Sequence, residues 1–420
     1  MTKRRTLLKT GLLSGLALAT PRWARATTPN NRIQIGIIGC GGMGMQNMRT
    51  FLGLEDAQVT AVCDVDKNAV QAARQLVNER YNNSDCAAYS CHRDMLEKGG
   101  LDAVCISTPD HWHAAIGIDA AQAGCDIYGE KPFTWGLAEG RLLIDALTRH
   151  NRIWQTGSWQ RSANEFRRFH AIIRQGVLGR IDRVECGTPS GMSVQQHVPA
   201  ENVAAHIGTP PPHLDWEAWC GPAGETPYHP LLHPWNWRWH TRFGGGQLLD
   251  WVGHHVDIAM WALDLGHTGP VEISGSGSRV THDFFDVLDH YQYTGTFANG
   301  TKIEVRSDFL GTRISGENGW IHVDRGRLEA SDPALIARDQ LPDDYNPRPP
   351  SHWQDFLNAI RSRGATATPA ECAHRAASFG MLAMVAIDLG RTLKWNPEQE
   401  SILGDDEAAT HPRLSSRIPS

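Results

Sequence analysis

Lys131 sits where an apolar strand ends and a proline follows, in Gly129-Glu130-Lys131-Pro132. A partly desolvated lysine beside a bound ligand can have its pKa lowered enough to pass a proton; the plainer alternative is an ion pair with Glu130. A second cluster, Gly244-Gly245-Gly246-Gln247-Leu248-Leu249-Asp250-Trp251-Val252-Gly253-His254-His255-Val256-Asp257, sets two carboxylates and two imidazoles behind a glycine run. A helix opening near Gly246 puts Asp250, His254 and Asp257 at i, i+4 and i+7, on one face. Such a face can aim a carboxylate at a substrate hydroxyl and an imidazole at its proton, or it can be a polar stripe buried against a neighbouring domain.

A third pattern says what those groups would serve. The β-branched run at 33–38 enters Gly39-Cys40-Gly41-Gly42-Met43-Gly44 directly. This is G-x-G-x-x-G at a strand-to-helix turn: Gly39 for the tight turn, Gly41 and its neighbours Gly42 and Met43 for close approach of backbone to a pyrophosphate, and Gly44 for helix-on-strand packing. The phosphates meet the N–H groups at the helix start. A second strand at 59–63 ends at Asp64, where a carboxylate can accept ribose hydroxyls. Asp64 favours NAD over NADP, because a 2′-phosphate would face a carboxylate. The alternative for Asp64 and Asp66 is capping of the helix that begins near Asn68.

The elements that carry these residues alternate. Helix 68–79, strand 103–107, helix 113–123, strand 126–128, helix 136–149 and strand 153–156 predict a doubly wound parallel sheet over 32–156. Ligands of such sheets bind beyond the carboxyl ends of the strands, so Thr108, Pro109, His113, Glu130 and Lys131 are expected along the dinucleotide. Beyond 156 come a helix at 162–175, a strand at 180–187, and hairpins 289–297/301–308 and 312–315/320–324 closed by Asn299-Gly300 and Asn318-Gly319. Residues 157–395 are therefore expected to form an α+β domain with an open, mostly antiparallel sheet, completed by helices at 349–363 and 370–393. Residues 404–420 read as a loose tail.

Together the glycine fingerprint, Thr108-Pro109 with His113, Glu130-Lys131-Pro132, and the glycine run with Asp250 and His254 resemble the Gfo/Idh/MocA oxidoreductases over residues 32–395. The resemblance implies a dinucleotide enzyme of sugars or polyols in which Lys131, Asp250 and His254 are catalytic, and a large sheet that walls the substrate site and serves contacts in a homo-oligomer. One departure matters. The family often reads Asp-x-Gly-x-His, whereas here Gly253 directly precedes His254 and His255 stands beside it; His254 is taken as the base, with His255 as the alternative.

Residues 199–243 form an aromatic insert. Trp235-Asn236-Trp237-Arg238-Trp239 reads as strand-like alternation with three indoles on one face, which suits stacking on a sugar, with Trp237, Arg238 and His255, and from another segment Trp159 and Arg161, as substrate-binding candidates. The competing expectation is a tryptophan-rich core beneath a long loop, or an oligomer contact. No metal is expected, since Pro230 breaks any helix between His229 and His233.

At the other end of the chain, Lys3-Arg4-Arg5, an apolar run at 11–19 and Ala24-Arg25-Ala26 predict a removable twin-arginine signal over 1–26, hence a periplasmic or exported protein without a membrane span after cleavage. With 40 Lys+Arg against 46 Asp+Glu, and six of the cations inside that signal, the rest is acidic, which argues against nucleic-acid partners. The nine cysteines are scattered without a Cys-x-x-Cys pair and read as reduced core residues, with a loop closed by Cys86 and Cys91 as the alternative. Export narrows the chemistry. With little free nicotinamide outside the cytoplasm, the expectation is a tightly held dinucleotide recycled in place; the alternative is a glycoside hydrolase or lyase that oxidises a sugar hydroxyl transiently and returns the hydride.

Overall fold

Six strands, β1 (Ile33–Ile38), β2 (Ala57–Cys63), β3 (Ala87–Tyr89), β4 (Ala103–Ile106), β5 (Asp126–Gly129) and β6 (Trp154–Thr156), pair in the order β3-β2-β1-β4-β5-β6, all parallel. The computed structural model describes residues 32–191, 207–347 and 349–418, so the twin-arginine segment and the start of the insert lie outside the described residues. Because β1 and β4 are covered on both faces, β4 reads as an unbroken apolar run and β1 departs from one only at the part-buried Gln34. Helices α1 (Gly42–Leu52), α2 (Lys67–Tyr81), α3 (His92–Lys98), α4 (His113–Gln122) and α5 (Leu137–Arg149) connect them. Asp66 is the cap of α2, accepting from the Asn68 and Ala69 N–H groups. Asp64 is thus released from that duty. Among the described residues every cysteine is free, Cys86 and Cys91 included.

After α6 (Asn164–Arg174) the chain builds a nine-stranded sheet from β7 (Ile181–Gly187), β8 (Pro270–Arg279), β9 (Leu288–Phe297), β10 (Lys302–Arg306), β11 (Gly311–Gly316), β12 (Gly319–Asp324), β13 (Arg327–Ala330), β14 (Leu393–Asn396) and β15 (Ser401–Ile402). Its order is β13-β12-β11-β7-β10-β9-β8-β14-β15, antiparallel except where β7 meets β10. Both Asn-Gly turns fall where expected, joining β9 to β10 and β11 to β12. Between β7 and β8 come α7 (Trp216–Cys220), α8 (Gly246–Trp251), a π-helical turn (Val252–Val256) and α9 (Asp257–Ala262). Helices α10 (His352–Ser362) and α11 (Ala370–Leu389) close the fold. Helix α11 is long and apolar enough to cross a membrane, but 78% of that stretch is buried inside the protein, as befits a core helix. It fixes the site from behind: a Cβ on Gly380 would stand 2.7 Å from Val252 Cγ1, so only glycine lets the π turn lie this close.

The expectation of a loose tail is corrected. Helix α12 (Asp406–Ala409) leads to a tight turn at Pro412–Leu414 that inserts Arg413, 3% exposed, into the protein. Its guanidinium donates to Trp135 O (3.0 Å), Thr241 O (2.8 Å) and Gly244 O, and stacks on the Trp135 ring. Polar composition was a poor guide here, because one buried cation can hold three main-chain carbonyls. Arg413→Ala is expected to cost roughly 1.5–3 kcal/mol, the scale of hydrogen bonds to a charged group, measured by denaturant unfolding. Wild-type stability in that variant would show the tail to be idle.

Candidate functional site

The glycine loop meets its geometric requirements. Gly39 adopts φ +87°, and a Cβ there would stand 2.7 Å from the Ser107 carbonyl; a Cβ on Gly44 would stand 1.8 Å from Gly39 O. By contrast, nothing lies within 4 Å of a Cβ built on Gly41 or Gly42, so backbone is open to the cleft at those two positions. No side chain caps α1, which leaves its first N–H groups for an anion. Asp64, at the end of β2, accepts from Cys40 N–H (2.6 Å) and Asp66 N–H (2.9 Å). Burial raises its pKa, against the pull of those two N–H groups and His233. Thr108 Oγ1 is buried without a protein partner among the described residues, a hydrogen-bonding group left for a ligand. These features fit a dinucleotide.

From this loop one cleft of about 1260 Å³ runs past Thr108, Pro109 and Glu130 to Lys131, Asp250, Trp237 and Arg238. Lys131 pairs with Asp250, Nζ to Oδ1 at 2.9 Å, each side chain 18% exposed. The pair with Glu130 does not form; Glu130 accepts from Asn47 Nδ2 at 2.9 Å, and burial raises its pKa. Burial also opposes the Asp250 anion, yet Lys131 and Arg238 more than offset it and hold that carboxyl below its usual range. Arg238 Nε lies 3.6 Å from Asp250 Oδ2, its guanidinium packed against the rings of Trp235 and Trp237 at 3.8 and 4.6 Å. Asp110, which the sequence reading passed over, lines the same cleft. Burial, with Asp250 close by, pushes it up to about 8, so it is a neutral acid at pH 7.

The helical stripe is corrected. The π-helical turn inserts between α8 and α9 and breaks the 3.6-residue register. Asp250 and His254 stay near Lys131, whereas Asp257 turns away and binds Arg161 through two bonds of 2.7 and 2.6 Å, both side chains buried. Arg161 is therefore a structural ion pair, with a further bond to Ala367 O, rather than a substrate group. Gly253 explains the local packing: a Cβ there would meet Lys131 Cβ at 3.0 Å. His254 follows it in the chain, close enough to feel the Lys131 charge, but it is not itself among the residues that line the cleft. His254 is 5% exposed, with Nδ1 unpartnered among the described residues and Trp159 and Trp251 edge-on to its ring. Burial, then Lys131, Arg325 and His255, hold its pKa well below the ordinary value, so the imidazole is neutral.

His255 does not compete for that role. It is fully enclosed, with Nδ1 2.5 Å from Gly187 O and 3.1 Å from Gly311 N, and Nε2 3.4 Å from Asp324. His113 is likewise committed to main chain, its ring nitrogens 2.7 Å from Pro132 O and 2.9 Å from Thr108 O, so it ties the two loops together without lining the cleft. Trp159 packs on His254 and, with Trp251, against the Arg325 guanidinium.

The expected tryptophan row is not a strand. Asn236–Trp239 is a tight helical turn, closed by Trp237 N–H to Leu232 O and His240 N–H to Trp237 O. Trp239 and most of Trp237 enter a core of their own with Trp216, Trp219, Leu232 and Phe243, while Trp235 is half exposed. The loop-core alternative describes these rings. Only Trp237 and Arg238, of the five residues expected to bind substrate, line the cleft.

Residues 33–158 match the Gfo/Idh/MocA oxidoreductase family's NAD-binding Rossmann fold, and residues 163–418 match the family's C-terminal alpha/beta domain. The chain belongs to the Gfo/Idh/MocA oxidoreductase family. Among similar proteins of known name, the rhizopine catabolism protein MocA of Rhizobium meliloti is 31% identical over 155 residues, 37% of this chain and 46% of its own length. Glycosyl hydrolase family 109 protein 1 of Shewanella sp. (strain MR-4) is 28% identical over 154 residues, 36% of this chain and 33% of its own. These matches span less than half of either relative. Among solved structures, the WlbA dehydrogenase from Bordetella pertussis, in complex with NADH and UDP-GlcNAcA, superposes with a TM-score of 0.65 at 18% identity, over 87% of this chain and 99% of that one. The scyllo-inositol dehydrogenase from Lactobacillus casei, with NAD(H) and scyllo-inositol, gives 0.61 at 16%, over 86% and 99%. At such identities the likeness is one of fold.

Proposed function

We propose that this Gfo/Idh/MocA protein is an exported oxidoreductase that uses a tightly held NAD, in preference to NADP, on a hydroxyl of a sugar or polyol. One observation carries the reading: a single cleft joins the glycine loop and Asp64 at one end to the Lys131–Asp250 pair at the other. Gly41, Gly42 and the start of α1 would hold the pyrophosphate, and Asp64 the adenosine ribose, where a 2′-phosphate would meet a carboxylate. When bound, the dinucleotide supplies a two-electron acceptor. The chain's own groups handle position and protons. Lys131 and Asp250 orient the hydroxyl, and the neutral His254 imidazole takes its proton. Structural neighbours crystallised with an inositol and a nucleotide sugar support the substrate class, and the twin-arginine pattern supports export and recycling in place.

A second reading, an NAD-dependent glycoside hydrolase or lyase, is favoured by the Shewanella relatives named glycosyl hydrolase family 109. It requires another proton carrier. His255 and His113 are committed to main chain, whereas Asp110 lines the cleft as a neutral acid. The two readings separate when purified protein is mixed with free sugars and with glycosides while absorbance is followed in the NADH band. Lasting reduction by a free sugar supports the dehydrogenase; cleavage of a glycoside without net reduction supports the alternative. Full turnover by His254→Ala would remove the proposed base.

Asp110 also predicts a pH limb. Below about pH 8 it is neutral; above, a second anion beside Asp250 competes for Lys131 and Arg238. Thus kcat/KM is expected to fall above about pH 8 in wild type and to stay flat there in Asp110→Asn. An unchanged limb in that variant would assign it elsewhere.

A further inference from the structure

The insert does something other than present tryptophans to a sugar. Its described part docks on the dinucleotide half at two loops that flank Asp64. At the β2–α2 loop, Leu214 forms a bridge with Asp66, Lys67 N–H donates to His213 O (2.9 Å) and Asp215 N–H donates to Val65 O (3.1 Å). At the β4–α4 loop, Trp219 O accepts from His111 Nε2 (2.9 Å) and Trp112 Nε1 (3.0 Å). Gly221 presses so closely on Trp112 that a Cβ would stand 2.0 Å from its ring, at a φ of +40°. Behind these contacts Trp216 and Trp219 stack at 4.6 Å, and Val65 packs into the same apolar core. Asp215, Trp216, Trp219, Thr226, His233 and Pro234 thereby line the same cleft as Asp64.

Resting on the dinucleotide reading of the cleft, we propose that residues 213–235 are a retaining wall over the adenosine half of the cofactor, slowing its escape so that it is not exchanged between turnovers. A ligand seated between α1 and this wall leaves only after main-chain and indole hydrogen bonds at both loops have opened. Those bonds are set among buried aromatic rings, where water replaces them poorly. The wall is continuous with Trp235 and Arg238, so the segment that closes one end of the cleft also supplies the cation beside Asp250 at the other. Retention and assembly of the reacting end are mechanically linked.

The test loads the full-length protein with NADH and chases it with excess NAD, following energy transfer from indole to nicotinamide. Wild type is expected to keep its dinucleotide through gel filtration. Gly221→Ala, which wedges the wall off Trp112, is expected to raise the off-rate about ten-fold or more, comparable to losing one hydrogen bond. Amide exchange of the wild-type chain gives a second readout that needs no variant: NADH should slow exchange over 213–221. An unchanged off-rate in a folded Gly221→Ala, rapid loss from wild type, or no protection over 213–221 each overturns the wall. Failure of wild type to bind NADH at all overturns instead the dinucleotide reading on which it rests.

Discussion

Replacing Lys131 by methionine is expected to lower kcat/KM by about 10²–10⁴-fold, the usual weight of a positioned proton-transfer group, while NADH binding stays within a few-fold of wild type. The side chain keeps its bulk, so Gly253 keeps its packing partner. What goes is the ammonium 2.9 Å from Asp250 Oδ1. Asp250 is anionic because Lys131 and Arg238 together overcome its burial; with Arg238 alone, at 3.6 Å, the carboxyl moves toward protonation. Of the two groups proposed to hold the reacting hydroxyl, one is then removed and the other weakened, which places the expected loss in kcat rather than in KM. Steady-state kinetics with a substrate found in the absorbance screen checks this. A fall of less than ten-fold would make the pair a structural one.

Gly44→Ala should abolish useful dinucleotide binding rather than slow a chemical step. A methyl group there would stand 1.8 Å from Gly39 O, within the covalent path of the loop, so α1 must move off β1 by more than a bond length. That motion displaces the very N–H groups meant for the pyrophosphate. Losing two hydrogen bonds to a charged phosphate costs about 3 kcal/mol or more, so NADH affinity should fall by at least about 10²-fold. A folded Gly44→Ala with wild-type affinity would show that the phosphates lie elsewhere. Gly41→Ala is the control: its Cβ meets nothing within 4 Å of protein, so any loss there comes from the ligand alone.

These two positions mark what was legible in the sequence. Gly39 and Gly44 answer to backbone geometry that a short motif encodes, and Asp64 to its place at the end of the second strand; the paired Asn-Gly turns named the hairpins of the second sheet in the same way. Lys131 and Asp250 were legible as types, but their pairing was not, because a contact between residues so far apart in the chain has no local signature. The stripe of Asp250, His254 and Asp257 assumed 3.6 residues per turn, and the π turn packed under Gly380 overrides that period. Arg161 and His255 carry polar side chains that would suit a sugar, yet Arg161 is held inside the protein by Asp257 and the Nδ1 of His255 by Gly187 O. The tryptophans of the insert were read by alternation, whereas a turn and a separate core decide where they point. Arg413 was invisible for a related reason: a buried cation in a polar tail looks like any other surface arginine.

A dinucleotide would lie among indole rings that report its presence in this cleft. Trp112, Trp216, Trp219, Trp235 and Trp237 line it, so bound NADH must quench indole emission and gain sensitised emission of its own. Titration of the purified chain with NADH is predicted to give saturable energy transfer with one dinucleotide bound per chain, reversed by NAD and weakened in Gly44→Ala. Absence of energy transfer up to millimolar NADH, from protein freed of any bound dinucleotide and shown to be folded, would contradict it.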